Sequence, residues 1–90
     1  MFYEYRVYEA MPGRLPEVHA RFRDHTLRLF ERHGIKVIGF WSPKAGEYTN
    51  RVIYMLAFED PAHRERAWAA FAADPEWQKV VAESEADGPI

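Results

Sequence analysis

Residues Arg51 to Glu59 read Arg-Val-Ile-Tyr-Met-Leu-Ala-Phe-Glu, with no charge between the two ends. Extended, this run places Val52, Tyr54, Leu56 and Phe58 on one face and Ile53, Met55 and Ala57 on the other. A sheet with one wet face alternates apolar with polar residues. This strand does not, so both faces of its sheet demand cover. A chain of 90 residues has room for one core, and its helices can cover one face. The other face is expected to pack against a second copy, sheet to sheet, as a homodimer.

The remaining elements follow from local signals. Phe2 to Glu9 alternates aromatic, β-branched and charged residues and reads as a strand. On this reading Tyr3, Tyr5 and Val7 suit the helix side, while Phe2, Glu4, Arg6 and Tyr8 point at the partner sheet, with Glu4 and Arg6 needing partners there. Met11-Pro12-Gly13 breaks the strand. Arg14 to His33 has a helical period, with Leu15, Val18, Phe22, Thr26, Leu29 and Phe30 on one stripe. Pro16 falls in the first turn, where a missing donor is harmless, and Gly34 supplies a C-terminal stop. Ile35 to Trp41 is a second strand, with Ile35, Val37 and Trp41 opposite Ile38 and Phe40. Ser42 to Asn50 is a loop. Asp60-Pro61 and Asp74-Pro75 each give an N-cap followed by proline at the first helical position. The helices they start present Ala67, Trp68 and Phe71, then Trp77, Val80 and Val81. The tail from Asp87 to Ile90 is loop-like.

The order β-α-β-β-α-α makes most of a ferredoxin-like α+β sandwich, an antiparallel sheet with helices on one face. Its closing C-terminal strand is short or missing. The chain is expected to be a single domain over residues 1–90. A formal net charge of −2 and interspersed charges leave no basic face for nucleic acid. No cysteine is present, which excludes disulfides, thiolate metal sites and thiol nucleophiles. No apolar run approaches the roughly 20 residues that span a bilayer, and Met1-Phe2-Tyr3-Glu4 carries no signal-peptide pattern. The default expectation is therefore a cytoplasmic protein.

Four segments together resemble the NIPSNAP family, a branch of the dimeric α+β barrel superfamily. They are Tyr3-Glu4-Tyr5-Arg6-Val7-Tyr8 with Met11-Pro12-Gly13-Arg14-Leu15; Leu29 through Trp41, containing Arg32-His33-Gly34; Tyr54 through Asp60 with Ala62-His63-Arg64-Glu65; and Asp74-Pro75-Glu76-Trp77. They span most of residues 3 to 80 in the family's order and spacing. The resemblance implies the dimeric α+β barrel fold, with a further C-terminal strand. Members are mostly of unknown function. Animal members are similar to mitochondrial and vesicle-associated proteins. The wider superfamily includes cofactor-independent monooxygenases, haem-handling enzymes and isomerases that use a cleft between helices and sheet. A fold does not transfer function.

Candidate chemistry is sparse. His19, His25 and His33 share the first helix, but their spacing is not the His-x-x-x-His that brings two imidazoles to one metal, so no metal site is expected. His25, placed facing inward beside Phe22 and Leu29, is the best candidate for a catalytic base. Arg6, Tyr8 and Tyr54 converge on the inner sheet face as a binder of a small anionic or aromatic ligand, or as an interface network. Trp41, Trp68 and Trp77 are candidates for an aromatic cavity wall, with Trp41 grouped with the ligand-binding set. His63-Arg64-Glu65-Arg66 reads as a solvated helix face. There is no nucleophile motif, phosphate-cradling glycine loop or carboxylate pair, and no cofactor is called for. The leading expectation is a homodimer binding a small molecule in a helix–sheet cleft. The alternatives are a cofactor-independent monooxygenase or isomerase, and a purely structural or interaction domain.

Overall fold

The doubly apolar run becomes strand β3 (Arg51–Phe58), the centre of a three-stranded antiparallel sheet. Strand β1 (Phe2–Glu9) pairs along one of its edges and β2 (Lys36–Trp41) along the other, giving the order β1-β3-β2. The structure, a computed structural model, describes residues 1–45 and 49–90. Part of the expected loop from Ser42 to Asn50, Gly46 to Tyr48, therefore lies outside the described residues. The helices are α1 (Leu15–Arg21), a π-helical turn (Phe22–Thr26), α2 (Leu27–Arg32), α3 (Pro61–Ala73) and α4 (Pro75–Ser84). This is an α+β fold of ferredoxin-like type, and three strands are present among the described residues. The final residue lies against the end of β1, where the Met11 N–H donates to the Ile90 carbonyl at 2.8 Å.

The β1–β3 register overturns the facing expected for β1. Opposite residues of an antiparallel pair point to the same side of the sheet. Glu4 is opposite Leu56, Arg6 opposite Tyr54 and Tyr8 opposite Val52. Because Val52, Tyr54 and Leu56 are buried under the helices, Glu4, Arg6 and Tyr8 go under the helices with them. Tyr3, Tyr5 and Val7 stand on the open face instead. Alternation alone does not say which half of a mixed strand faces the helices. The partner strand decides it.

Strand β2 carries a second correction. Its register with β3 shifts between Val37 and Gly39, a β-bulge at Ile38. The extra residue reverses the alternation. Val37 and Phe40, expected on opposite faces, both pack against the core, while Trp41 crosses to the open face, opposite Ile53. A Cβ on Gly39 would overlap the Trp41 indole, which lies across that glycine.

The expected helix from Arg14 to His33 forms as one continuous rod, interrupted by the π turn in which the Leu27 N–H reaches the Phe22 carbonyl. The Thr26 hydroxyl donates to the Arg21 carbonyl at 3.3 Å within this turn. The apolar stripe survives, and Val18, Phe22, Leu29 and Phe30 are all in the core with Ile35, Leu56 and Phe58. The rod ends as expected at Gly34, whose φ of +73° lets the Ile35 N–H return to the Phe30 carbonyl at 2.9 Å. Asp60 and Asp74 cap α3 and α4, accepting from the backbone N–H groups of His63 and Glu76.

A Cβ at Gly34 would meet only His63 Nε2, at 3.6 Å, so the cost of Gly34→Ala is conformational. The substitution is expected to destabilise by about 1–2 kcal/mol, read as a lower urea midpoint with an unchanged m-value.

Candidate functional site

A partly buried carboxylate is the organising feature of the helix-covered face. Glu4 cannot stay charged there without donors, and it has four N–H groups from three residues. Arg64 donates Nε at 3.0 Å and Nη2 at 2.9 Å. Trp68 donates its indole N–H at 3.0 Å. Arg6 donates Nη1 at 2.9 Å. Burial pushes the Glu4 carboxyl up, but the hydrogen bonds from Arg64, Trp68 and Arg6 override it and bring the pKa down to about 2.

Glu4 and Arg6, expected to need partners, are partners of each other. Arg6 then extends the network, donating Nε to the Tyr54 hydroxyl at 3.0 Å while its guanidinium stacks on the Trp68 ring 4.7 Å away. Beyond Tyr54 lies a cavity of about 150 Å³ between sheet and helices. Aromatic rings of Phe22, Phe30, Trp68, Phe71 and Trp77 form much of its wall. Arg6, Tyr8, Tyr54, Thr26 and Arg21 supply its polar groups. The π turn positions three of these residues: Phe22 and Thr26 belong to it and Arg21 precedes it. Such turns widen a helix locally and recur at functional sites.

Arg21 is 7% exposed. It donates Nη1 to Ser84 Oγ and Glu85 Oε2 at 3.2 and 3.1 Å, and Nη2 to the Tyr8 hydroxyl at 3.3 Å. Its Nε is buried and has no hydrogen-bond partner among the described residues.

The sequence-derived candidates thus divide. Arg6, Tyr8 and Tyr54 meet at one cavity, with Trp68 and Trp77 beside them. Trp41 does not join them, because the bulge sends it to the open face. His25 does not reach the cavity either. It lies in a groove between the first helical rod and α4, near Asp24, Val80 and Glu83, with Nδ1 3.4 Å from Arg28 Nη2. The π turn carries it off the inward stripe expected for it.

The other histidines serve the framework. His19 Nε2 is 3.0 Å from Ser42 Oγ, whose proton goes to the Arg51 carbonyl at 2.7 Å. The serine is thus a relay acceptor and not a nucleophile held by a base. His33 Nε2 contacts Asp74 Oδ2 at 2.6 Å. That imidazole, the Glu76 N–H and Arg32 hold the Asp74 carboxyl at about 2. Among the described residues no three His, Asp or Glu side chains gather as a metal site.

Sequence reasoning missed Arg64 and Arg21. Arg64, read as part of a solvated face, precedes Trp68 by four residues and so shares its side of α3. Arg21 follows Val18 by three residues and precedes Phe22 by one, which sets it beside the apolar stripe. A charge at such a position signals a buried partner.

The fold is that of a small α+β domain of ferredoxin-like type, and comparison with known proteins gives its family. The NIPSNAP family profile matches residues 3–90, and the chain belongs to that family. It is 35% identical over 78 residues to Protein NipSnap homolog 3B of Mus musculus and 30% identical to the Homo sapiens protein of the same name. Each match covers 87% of this chain and 31% of the relative, so the chain spans about a third of the length of these proteins. An uncharacterized NIPSNAP domain protein from Burkholderia xenovorans superposes with a TM-score of 0.80 at 28% identity, over 93% of this chain and 80% of its own. A NIPSNAP family protein of unknown function from Agrobacterium tumefaciens gives a TM-score of 0.84 at 24% identity, over 100% of this chain and 79% of its own, which is a likeness of fold. Among the described residues no helix is long and apolar enough to cross a membrane.

The acid side of the stability curve follows from the two depressed carboxyls. Both have folded values of about 2, below ordinary values of 4.5 for Glu4 and 3.8 for Asp74. Their stabilisation is complete above those ordinary values and is lost as pH falls from roughly 5 toward 2. Glu4→Gln is expected to destabilise at pH 7 by about 1–2 kcal/mol. It is also expected to flatten the fall in urea midpoint between pH 5 and pH 3, whereas an unchanged slope would remove Glu4 from the acid response.

Proposed function

We propose that two copies of this chain pair through the open faces of their sheets, and that each copy binds a small molecule in the cavity between its sheet and its helices. The cavity carries the reading. It combines an aromatic wall with a few fixed polar groups, the usual make-up of a ligand pocket, and Arg6, Tyr8 and Tyr54 are held in place by the Glu4 and Arg21 networks. Its volume of about 150 Å³ suits a ligand of one ring, since an apolar cavity of about that size holds benzene.

The open face supports pairing. Tyr5 is 62% and Trp41 53% exposed there, with Tyr3, Val7, Ile53 and Met55 beside them. One contiguous aromatic patch on a small domain is the kind of surface that marks an interface, and a flat face can be self-complementary about a two-fold axis.

A binding role fits better than acid–base catalysis. Among the described residues no histidine or carboxylate lines the cavity, and a catalytic role for His25 would be exercised in the groove along α4. An enzyme of the cofactor-independent kind would need a base that the cavity wall does not provide.

Two measurements separate these points. Sedimentation velocity at micromolar concentration is expected to show a dimer that Tyr5→Glu converts to a monomer with native circular dichroism; a monomeric parent would overturn the pairing. Titration with a panel of single-ring compounds is expected to shift the Trp68 and Trp77 indole N–H resonances and leave that of Trp41 in place. His25→Ala should not change those shifts. No response from Trp68 or Trp77 to any member of the panel would overturn the cavity reading.

A further inference from the structure

Three polar groups of the cavity, Tyr54, Tyr8 and Arg21, each keep an unused hydrogen-bond donor. Tyr54 accepts from Arg6 Nε and Tyr8 accepts from Arg21 Nη2. Each phenol therefore uses its oxygen as an acceptor and keeps its own O–H proton, for which no acceptor occurs among the described residues. Arg21 Nε adds a third donor that is buried and unpartnered. A buried donor without an acceptor loses its hydration with no compensation, and in a native site it marks a place where an acceptor from elsewhere belongs. Thr26 is no competing acceptor-seeker, since its hydroxyl already serves the Arg21 carbonyl.

Charge points the same way. Arg6 and Arg21 are guanidiniums of the wall itself, while their partners Glu4 and Glu85 stand behind it. Neither carboxylate lines the cavity. Phenols that accept from a guanidinium are polarised toward donation.

Resting on the cavity reading above, we infer that the ligand is a small aromatic monocarboxylate. Its carboxylate takes donors from the Tyr8 and Tyr54 hydroxyls and Arg21 Nε, and its ring sits among Phe30, Phe71 and Trp77. Two guanidiniums at the wall suit an anion, and a volume of about 150 Å³ suits one substituted ring. Arg21 is the anchor that sequence reasoning did not pick out. It also borders the groove that holds His25, but Glu17, Asp24 and Glu83 line that groove and their carboxylates disfavour an anion there.

The test compares benzoate with benzamide, which has nearly the same shape and no charge, by isothermal titration calorimetry on the full chain at pH 7. Benzoate is expected to bind at least tenfold more tightly. Tyr54→Phe removes one hydroxyl and should weaken benzoate about five- to tenfold while leaving benzamide nearly unchanged. Arg21→Gln should abolish the preference; because Arg21 also ties Ser84 and Glu85, Tyr8→Phe, expected to act like Tyr54→Phe, is the variant to use if that protein does not fold. Benzamide binding as tightly as benzoate would overturn the anion assignment and leave the cavity as a site for neutral rings. Binding of neither probe, with silent Trp68 and Trp77 resonances, would overturn both.

Discussion

The pairing of β1 with β3 places a carboxylate under the helices, and much of the structure follows from keeping that carboxylate charged. Glu4 lies opposite Leu56, so it shares the buried face whatever its own polarity. It then requires donors from more than one element. Arg64 and Trp68 reach it from α3, which fixes that helix over the sheet, and Arg6 reaches it along its own strand. With Nη1 committed to Glu4, Arg6 turns Nε to Tyr54 and sets the position of that phenol at the cavity. A second network, Arg21 with Tyr8, Ser84 and Glu85, does the same from the other side and ties α4 to the rod. The cavity lies between two polar clamps whose charges are largely satisfied away from it.

The parts of this arrangement that the sequence made legible were those that depend on local chemistry. The strands, the aspartate caps before Pro61 and Pro75, and the Gly34 stop all follow from residues a few positions apart, and they form where expected. The convergence of Arg6, Tyr8 and Tyr54 was also legible, because alternate residues of β1 share a face and β3 lies beside it.

What was not legible depends on register. Which face of β1 turned toward the helices was set by its pairing with β3, and the expected assignment was reversed. The bulge at Ile38 moved Trp41 away from the site, and no residue of Lys-Val-Ile-Gly-Phe-Trp announces a bulge except, weakly, Gly39. The π turn displaced His25 by inserting one residue into the helical count, which a 3.6-residue period cannot anticipate.

The run at the centre of the sheet sets the remaining requirement. Its helix-facing residues Val52, Tyr54, Leu56 and Phe58 are buried within the chain, but Ile53 and Met55 share the other side with Tyr3, Tyr5 and Trp41. Covering of this second face by another copy is tested most directly by hydroxyl-radical footprinting over a range of protein concentrations. Tyr3, Tyr5, Trp41 and Met55 should be protected in concentrated solution and become reactive together on dilution, while Tyr54 stays protected throughout. Equal reactivity of the open-face residues at every concentration would contradict it and leave the apolar face of β3 to some other cover.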